Sequence, residues 1–201
     1  MFDPLLRRLI DPPLEPPGRW LARAGFSANQ VSAIGLAIGL LAVPLLAYEQ
    51  YAAALVVILI NRLFDGLDGV VARQGSATAF GGYVDIVCDM VFYAAVPVGF
   101  ALARPQNALW ASVLLASFIC TSSSFLGRAI VAAQRGEADP GERGAKSFFH
   151  SAGLMEGTET IAAFILFCLL PDRFALLAGI VAVLCFWTAA ARILTCVKST
   201  H

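Results

Sequence analysis

Four aspartates, Asp65, Asp68, Asp85 and Asp89, fall within the run FDGLDGVVARQGSATAFGGYVDIVCD, which sits in otherwise apolar sequence. Asp65 and Asp68 are three residues apart and Asp85 and Asp89 four apart, so on helices each pair shares a face. An aspartate at the centre of a membrane helix costs roughly 2.5 to 3.5 kcal/mol on insertion scales, so four together require neutralising partners, most simply bound cations. Hard oxygen ligands suit Mg²⁺ or Mn²⁺, and two such ions held about 4 Å apart clamp a diphosphate while activating an attacking oxygen. The stretch reads as the active site of a membrane enzyme. Gly66, Gly69, Gly81 and Gly82 fit that reading, because they remove side chains where two helices and a ligand approach closely.

The elements that must position these groups are membrane helices. The chain is 59% hydrophobic and only 14% charged, outside the range of a soluble domain. Apolar stretches of near-spanning length fall at 30–48, 52–73, 82–103, 108–133, 152–171 and 174–194. The expected fold is all-α, an integral membrane bundle of six transmembrane helices. The short segment from Gln74 to Phe80, with Gly75 and Thr78, returns the chain as an antiparallel neighbour and brings the two aspartate pairs to one site. The fifth apolar run, Thr160 to Pro171, is too short to cross, so its helix is expected to extend back through Gly153, Glu156, Gly157 and Glu159. Pro44 and Pro97 are expected to kink the first and third helices. Residues 1–29 lack the apolar core of a cleaved signal and read as a cytoplasmic juxtamembrane segment of short, Pro-broken amphipathic helices. Residues 30–198 then form the catalytic domain.

Net charge is zero, with 14 basic and 14 acidic residues, and nothing points to nucleic acid as a partner. The distribution is more informative than the sum. All basic residues except Arg62, Arg104 and Arg173 fall on one side of a six-helix arrangement. By the positive-inside bias both termini and the aspartate site are cytoplasmic. The five cysteines stand singly in apolar runs, without zinc-site or disulfide spacing, and read as packing residues.

The pattern Asp65-x-x-Asp68-Gly69-x-x-Ala72-Arg73, followed by Gly81-x-x-x-Asp85-x-x-x-Asp89, resembles the signature of the CDP-alcohol phosphatidyltransferase family. The loop between Arg73 and Gly81 is one residue shorter than the family pattern. Upstream, Ser27-Ala28-Asn29-Gln30-Val31-Ser32 resembles the Pro-Asn-x-Val-Thr element that often opens the first membrane helix of such proteins. The resemblance implies metal-dependent transfer of a phosphatidyl group from CDP-diacylglycerol to a small alcohol, with release of CMP, in phospholipid biosynthesis. It further implies that Asp89 is the base and that Asp65, Asp68 and Asp85 are the principal metal ligands, with Asp89 touching a metal as well. Gly69, Ala72 and Arg73 then line the nucleotide side together with Gly81, and Asn29 neighbours the same pocket. The family often pairs through its membrane helices, which allows a homodimer, and in a bacterium the setting would be the inner membrane.

The acceptor is not fixed by these residues. Glu156 and Glu159, with Arg62 and Arg128, could line an acceptor pocket beside the metals, or the glutamates could form interhelical ion pairs with Arg128. A phosphorylated acceptor calls for a basic cluster, which Arg128, Arg135, Arg143 and Lys146 could supply. An amine-bearing or uncharged alcohol would suit the acidic pair. A transporter with an intramembrane carboxylate metal site is the alternative class, although all four aspartates gather near one face and the motif has no inverted repeat.

Overall fold

A segment that crosses a bilayer has to satisfy its backbone polar groups within itself, and the helix does so. A computed structural model describes residues 3–75, 78–136 and 154–198 of the chain, and these residues contain no strand. The helices are α1 (Asp3–Arg23), α2 (Ala28–Leu40), α3 (Ala42–Ala47), α4 (Tyr51–Gln74), α5 (Ala79–Ala103), α6 (Ala108–Gln134), α7 (Gly157–Leu169) and α8 (Phe174–Lys198). Single 3₁₀ turns at Pro105–Asn107 and Pro171–Arg173 lead into α6 and α8.

Among the described residues, four segments are long and apolar enough to cross a membrane: Ala28–Ala47, Ala79–Ala103, Pro105–Gln134 and Pro171–Val197. The expectation of six is met only to that extent. α4 has the length, with 24 residues, but Arg62, Asp65, Asp68 and Arg73 set its composition apart. α7 has only 13 residues.

One expectation is refined and two are corrected. The first apolar run is broken at Leu41, where the Leu41 N–H turns to the Ile38 carbonyl at 3.0 Å; Pro44, lacking an N–H, cannot serve the Leu40 carbonyl in the next turn. The fifth helix does not extend back through the glutamates. It begins at Gly157 because Glu159 accepts the Glu156 N–H at 3.2 Å and caps the helix. The preceding N–H groups of Leu154 and Met155 are turned aside to Thr188 Oγ1 of α8, each at 3.0 Å. Gly153 lies outside the described residues. Finally, the N-terminal segment is one continuous helix through Pro12, Pro13, Pro16 and Pro17 rather than several short ones. Packing overrides the local breakers: Leu14 is buried, and a Cβ on Gly66 of α4 would lie 2.5 Å from its side chain.

Lipid tails are as apolar as leucine, so association of membrane helices relies on close packing and polar contacts. α6 packs on α8, α2 on α4, and α3 on α5. Phe92, Phe100, Phe164, Phe167 and Phe174 are fully buried between them, with the Phe100 and Phe174 rings stacked at 4.5 Å. Gly39 is a tight crossing of α2 with the aspartate helices, since a Cβ there would stand 2.7 Å from Asn61 Nδ2 and 2.9 Å from the Phe92 ring. At the end of the bundle away from the aspartates, Arg104 joins three connections. It donates to Glu49 Oε1 and Oε2 at 3.2 and 2.9 Å and to Asp172 Oδ1 at 2.5 Å. Glu49 has a left-handed backbone, φ 57°, a conformation unfavourable for a side-chain-bearing residue, and Arg104 grips it there.

Gly39→Val is expected to destabilise the protein by about 1–3 kcal/mol through overpacking, read as a lower unfolding temperature in detergent. The hydrogen bond from Arg104 holds the Glu49 carboxyl below its ordinary value. A group lowered in this way contributes stability that is present above its unfolded-state pKa and lost as pH falls through the lowered one. Acidification below the ordinary carboxylate range should therefore lower the unfolding temperature more steeply in the unaltered protein than in Glu49→Gln.

Candidate active site

The two aspartate pairs are brought together by one reversal of the chain. Thr78 caps α5, its hydroxyl accepting the Gly81 N–H at 3.0 Å, and α5 returns toward α4 with α2 packed against both. Asp65, Asp68 and Asp85 each present a carboxylate oxygen, and the three atoms lie within 4.8 Å of one another. Asp68 is buried, Asp65 half-buried and Asp85 exposed. The buried member has a dedicated partner: Ser32 of α2 donates to Asp68 Oδ2 at 2.5 Å.

Asp89 stands apart from this trio, although it borders the same recess. Arg62 Nη2 reaches its Oδ1 at 2.9 Å, and Nη1 lies 3.5 Å from Asp65 Oδ2. Arg62 thus forms ion pairs with two of the carboxylates, but a single guanidinium cannot balance the whole cluster. The recess is about 10 Å³, bordered by Ser32, Gly35, Leu36, Asn61, Arg62, Cys88 and the four aspartates. Its hard oxygen donors and size on the order of one water-sized sphere suit a divalent cation such as Mg²⁺ or Mn²⁺.

A larger cavity of about 710 Å³ adjoins it. It is bordered by Leu14, Gly66, Gly69 and Arg73, by Asp65, Asp85, Asp89 and Tyr93, and by Thr121, Ser122, Phe125, Glu156, Cys185 and Arg192. Gly69 faces Arg73, whose Nη1 would be 3.5 Å from a Cβ at that position. Asn29 and Gly81 are neighbours, with Asn29 Oδ1 3.4 Å from where a Gly81 Cβ would stand, but neither borders the larger cavity. Ala72 is half-buried and also outside that lining.

The expected acceptor set divides. Arg62 and Glu156 border the cavity, whereas Arg128 and Glu159 do not. Glu159 is engaged in capping α7, and Arg143 and Lys146 lie outside the described residues. Arg192 is the residue that sequence reasoning missed, having been counted only toward orientation. It is 8% exposed, its Nη1 donates to the Thr121 carbonyl at 3.4 Å, and its guanidinium carbon lies 5.7 Å from the Phe125 ring centroid. Its Nε is buried without a hydrogen-bond partner among the described residues. An arginine inside an apolar helix is itself a functional signal. Thr121 fixes the local packing by donating from its hydroxyl to the Cys185 carbonyl of α8 at 3.0 Å.

The family model for CDP-alcohol phosphatidyltransferases matches residues 26–191. The chain is 48% identical over 194 residues to "Inner membrane protein YnjF" of Escherichia coli (strain K12), covering 96% of this chain and 94% of that protein. It is 35% identical over 102 residues to the archaetidylinositol phosphate synthase of Pyrococcus horikoshii, covering 48% of this chain and 52% of that one. Its fold is similar to that of the Mycobacterium tuberculosis phosphatidylinositol phosphate synthase in a crystal structure with manganese and citrate. The TM-score is 0.66 at 22% identity, covering 91% of this chain and 88% of the other.

Ser32→Ala removes the hydroxyl that holds Asp68 and is expected to weaken Mn²⁺ binding about 10- to 100-fold, the usual range for partners of metal ligands. Titration of the purified protein with Mn²⁺, followed by electron paramagnetic resonance, reads the change; unaltered affinity would contradict the role given to Ser32.

Proposed function

The chain belongs to the CDP-alcohol phosphatidyltransferase family and is a membrane phosphotransferase, and from this premise we propose that it transfers the phosphatidyl group of CDP-diacylglycerol to a small alcohol, releasing CMP. The observation that carries the reading is the trio of carboxylates within 4.8 Å, beside a cavity that Asp89 also borders. Asp65, Asp68 and Asp85 are the principal ligands in this proposal, with Asp89 touching a metal as well. When bound, two Mg²⁺ or Mn²⁺ ions would offset the diphosphate charge and stabilise CMP as leaving group.

The protein's own groups carry the remaining steps. Asp89 accepts the proton of the acceptor hydroxyl, and the acceptor oxygen bonds to the lipid-side phosphorus. The bond from that phosphorus to the bridging oxygen breaks, and CMP departs with the electron pair. Gly69 leaves room for the nucleotide beside Arg73, whose guanidinium meets its phosphate charge. Six crossings, with α4 and α7 completing the set and α1 lying on the membrane surface, put both termini and the site on the cytoplasmic side. The distribution of basic residues supports that orientation.

For the acceptor, the buried Arg192 guanidinium favours an alcohol carrying an anionic substituent such as a phosphate. The similarity to two inositol phosphate lipid synthases agrees with it. A second reading rests on Glu156, which borders the same cavity and beside which an amine-bearing alcohol would set its ammonium group.

CMP release by the purified protein, with CDP-diacylglycerol, Mg²⁺ or Mn²⁺ and a panel of phosphorylated, amine-bearing and uncharged alcohols, tests these assignments. Release should depend on one acceptor class, and Asp89→Asn should lower kcat about 10²- to 10⁴-fold while Mn²⁺ binding persists. Acceptor-independent behaviour or full turnover by Asp89→Asn would defeat the proposal.

A further inference from the structure

α1 is fastened to the bundle by a small apolar cluster of its own. Leu14 is buried with Val31 of α2 and with Leu67, Val70 and Val71 of α4, and Leu21 and Ala22 pack against the same group. The fit relies on two missing side chains. A Cβ on Gly66 would lie 2.5 Å from Leu14 Cδ1, and a Cβ on Gly18 would run into the Val70 side chain. Leu14 is only 5% exposed, yet it also borders the cavity of about 710 Å³ together with Gly66, Gly69 and Arg73. A helix that precedes every apolar span described in the chain thus contributes a wall to the cavity that Asp65, Asp85 and Asp89 border.

Gly66, Gly69 and Arg73 follow one another at spacings of three and four residues, so they share a face of α4. The stripe starts beside Asp65 and ends at Arg73 in the last turn of the helix. Its two glycines leave bare backbone as a floor, and Leu14 is the side chain set against the first of them. Such a wall does not serve every ligand equally. Lipid tails are as apolar as leucine, so an acyl chain that meets Leu14 only exchanges one such neighbour for another. A planar base at the water boundary gains more, because contact with leucine removes its apolar area from water. The chemistry of the wall therefore favours the nucleotide over the diacylglycerol part of the donor.

We infer that Leu14, seated on Gly66, is the apolar wall against which the cytidine of the CDP-linked lipid packs, which makes α1 a part of the donor site and not only a membrane-surface helix. This rests on the reading of the donor as a CDP-linked lipid. With the phosphate charge met by Arg73 and the aspartate site, the pyrimidine ring is the part of the nucleotide left for an apolar contact. Gly66 serves this arrangement by having no side chain, since a Cβ there would drive Leu14 from its seat. The rest of the small cluster holds α1 against α4, so the wall stands ready before the nucleotide arrives.

CMP is the probe, because it carries the nucleotide without the lipid. In the full-length protein Leu14→Ala should weaken CMP binding about 10-fold, measured by titration calorimetry in the presence of Mn²⁺. The KM for CDP-diacylglycerol should rise by a similar factor with kcat little changed, and Mn²⁺ affinity, read by electron paramagnetic resonance, should stay as it is. Leu14→Met should restore most of the CMP affinity, and Glu15→Ala, at the neighbouring exposed position, should leave it unaltered. Gly18→Val displaces α1 at Val70 without altering a residue that borders the cavity; it should weaken CMP binding too, and it decides the matter if Leu14→Ala fails to fold. A raised KM with CMP affinity intact would overturn the inference by setting Leu14 against the diacylglycerol part. Parallel loss of Mn²⁺ and CMP affinity would overturn it as well, since α1 would then be a support of the fold alone. Absence of CMP binding by the unaltered protein would refute the donor reading itself, whereas CMP binding indifferent to Leu14→Ala would refute only the role of α1.

Discussion

Like charges resist being gathered in an apolar bundle. Carboxylates separated by less than 5 Å repel one another by on the order of a few kcal/mol even at an effective dielectric well above that of dry protein. Asp65, Asp68 and Asp85 nevertheless converge within 4.8 Å at the mouth of two apolar helices. The fold answers this cost in several ways: it leaves Asp85 in contact with solvent, gives the buried Asp68 a hydroxyl donor, and sets Arg62 between Asp65 and Asp89. A divalent cation would complete the compensation, which is why a cluster unfavourable in isolation suits a diphosphate-processing enzyme.

Much of the remaining architecture serves that cluster. α2 contributes the Ser32 hydroxyl and the Gly35 carbonyl to α4, and it comes close enough to do so because Gly39 has no side chain to meet Asn61 and Phe92. The buried phenylalanines hold α5 against α7 and α8. Arg104 ties three connections at the opposite end through Glu49 and Asp172, so the helices are secured where no chemistry takes place. Thr121 and Thr188 attach α8 to α6 and to the approach to α7, and α8 carries Arg192 to the cavity.

Local spacing made the aspartates and most helices legible. Two carboxylates three or four residues apart share a helix face wherever the helix lies, and a short connection between two apolar runs leaves little choice but antiparallel return. The features that were not legible depend on distant partners. Nothing near Asn61 in the chain announces the Gly35 carbonyl, 26 residues earlier. Glu159 reads equally well as a pocket residue or as a cap until the start of α7 is known. Arg192 looked like one more basic residue near a membrane face, and only its burial against α6 distinguishes it. The continuous α1 reversed a local rule, because four prolines predict interruption and contacts with α4 outweighed them.

The attachment of α1 also imposes an order on biogenesis. Leu14 meets Gly66, and Gly18 meets Val70, each pair 52 positions apart along the chain. α1 leaves the ribosome with none of these partners in existence, and at 5–20 residues per second α4 follows after roughly 3 to 10 s. An amphipathic helix can wait at the lipid–water boundary during that interval, where a fully apolar one would insert and a fully polar one would drift away. The wall that Leu14 gives the cavity can thus form only once α4 has been made.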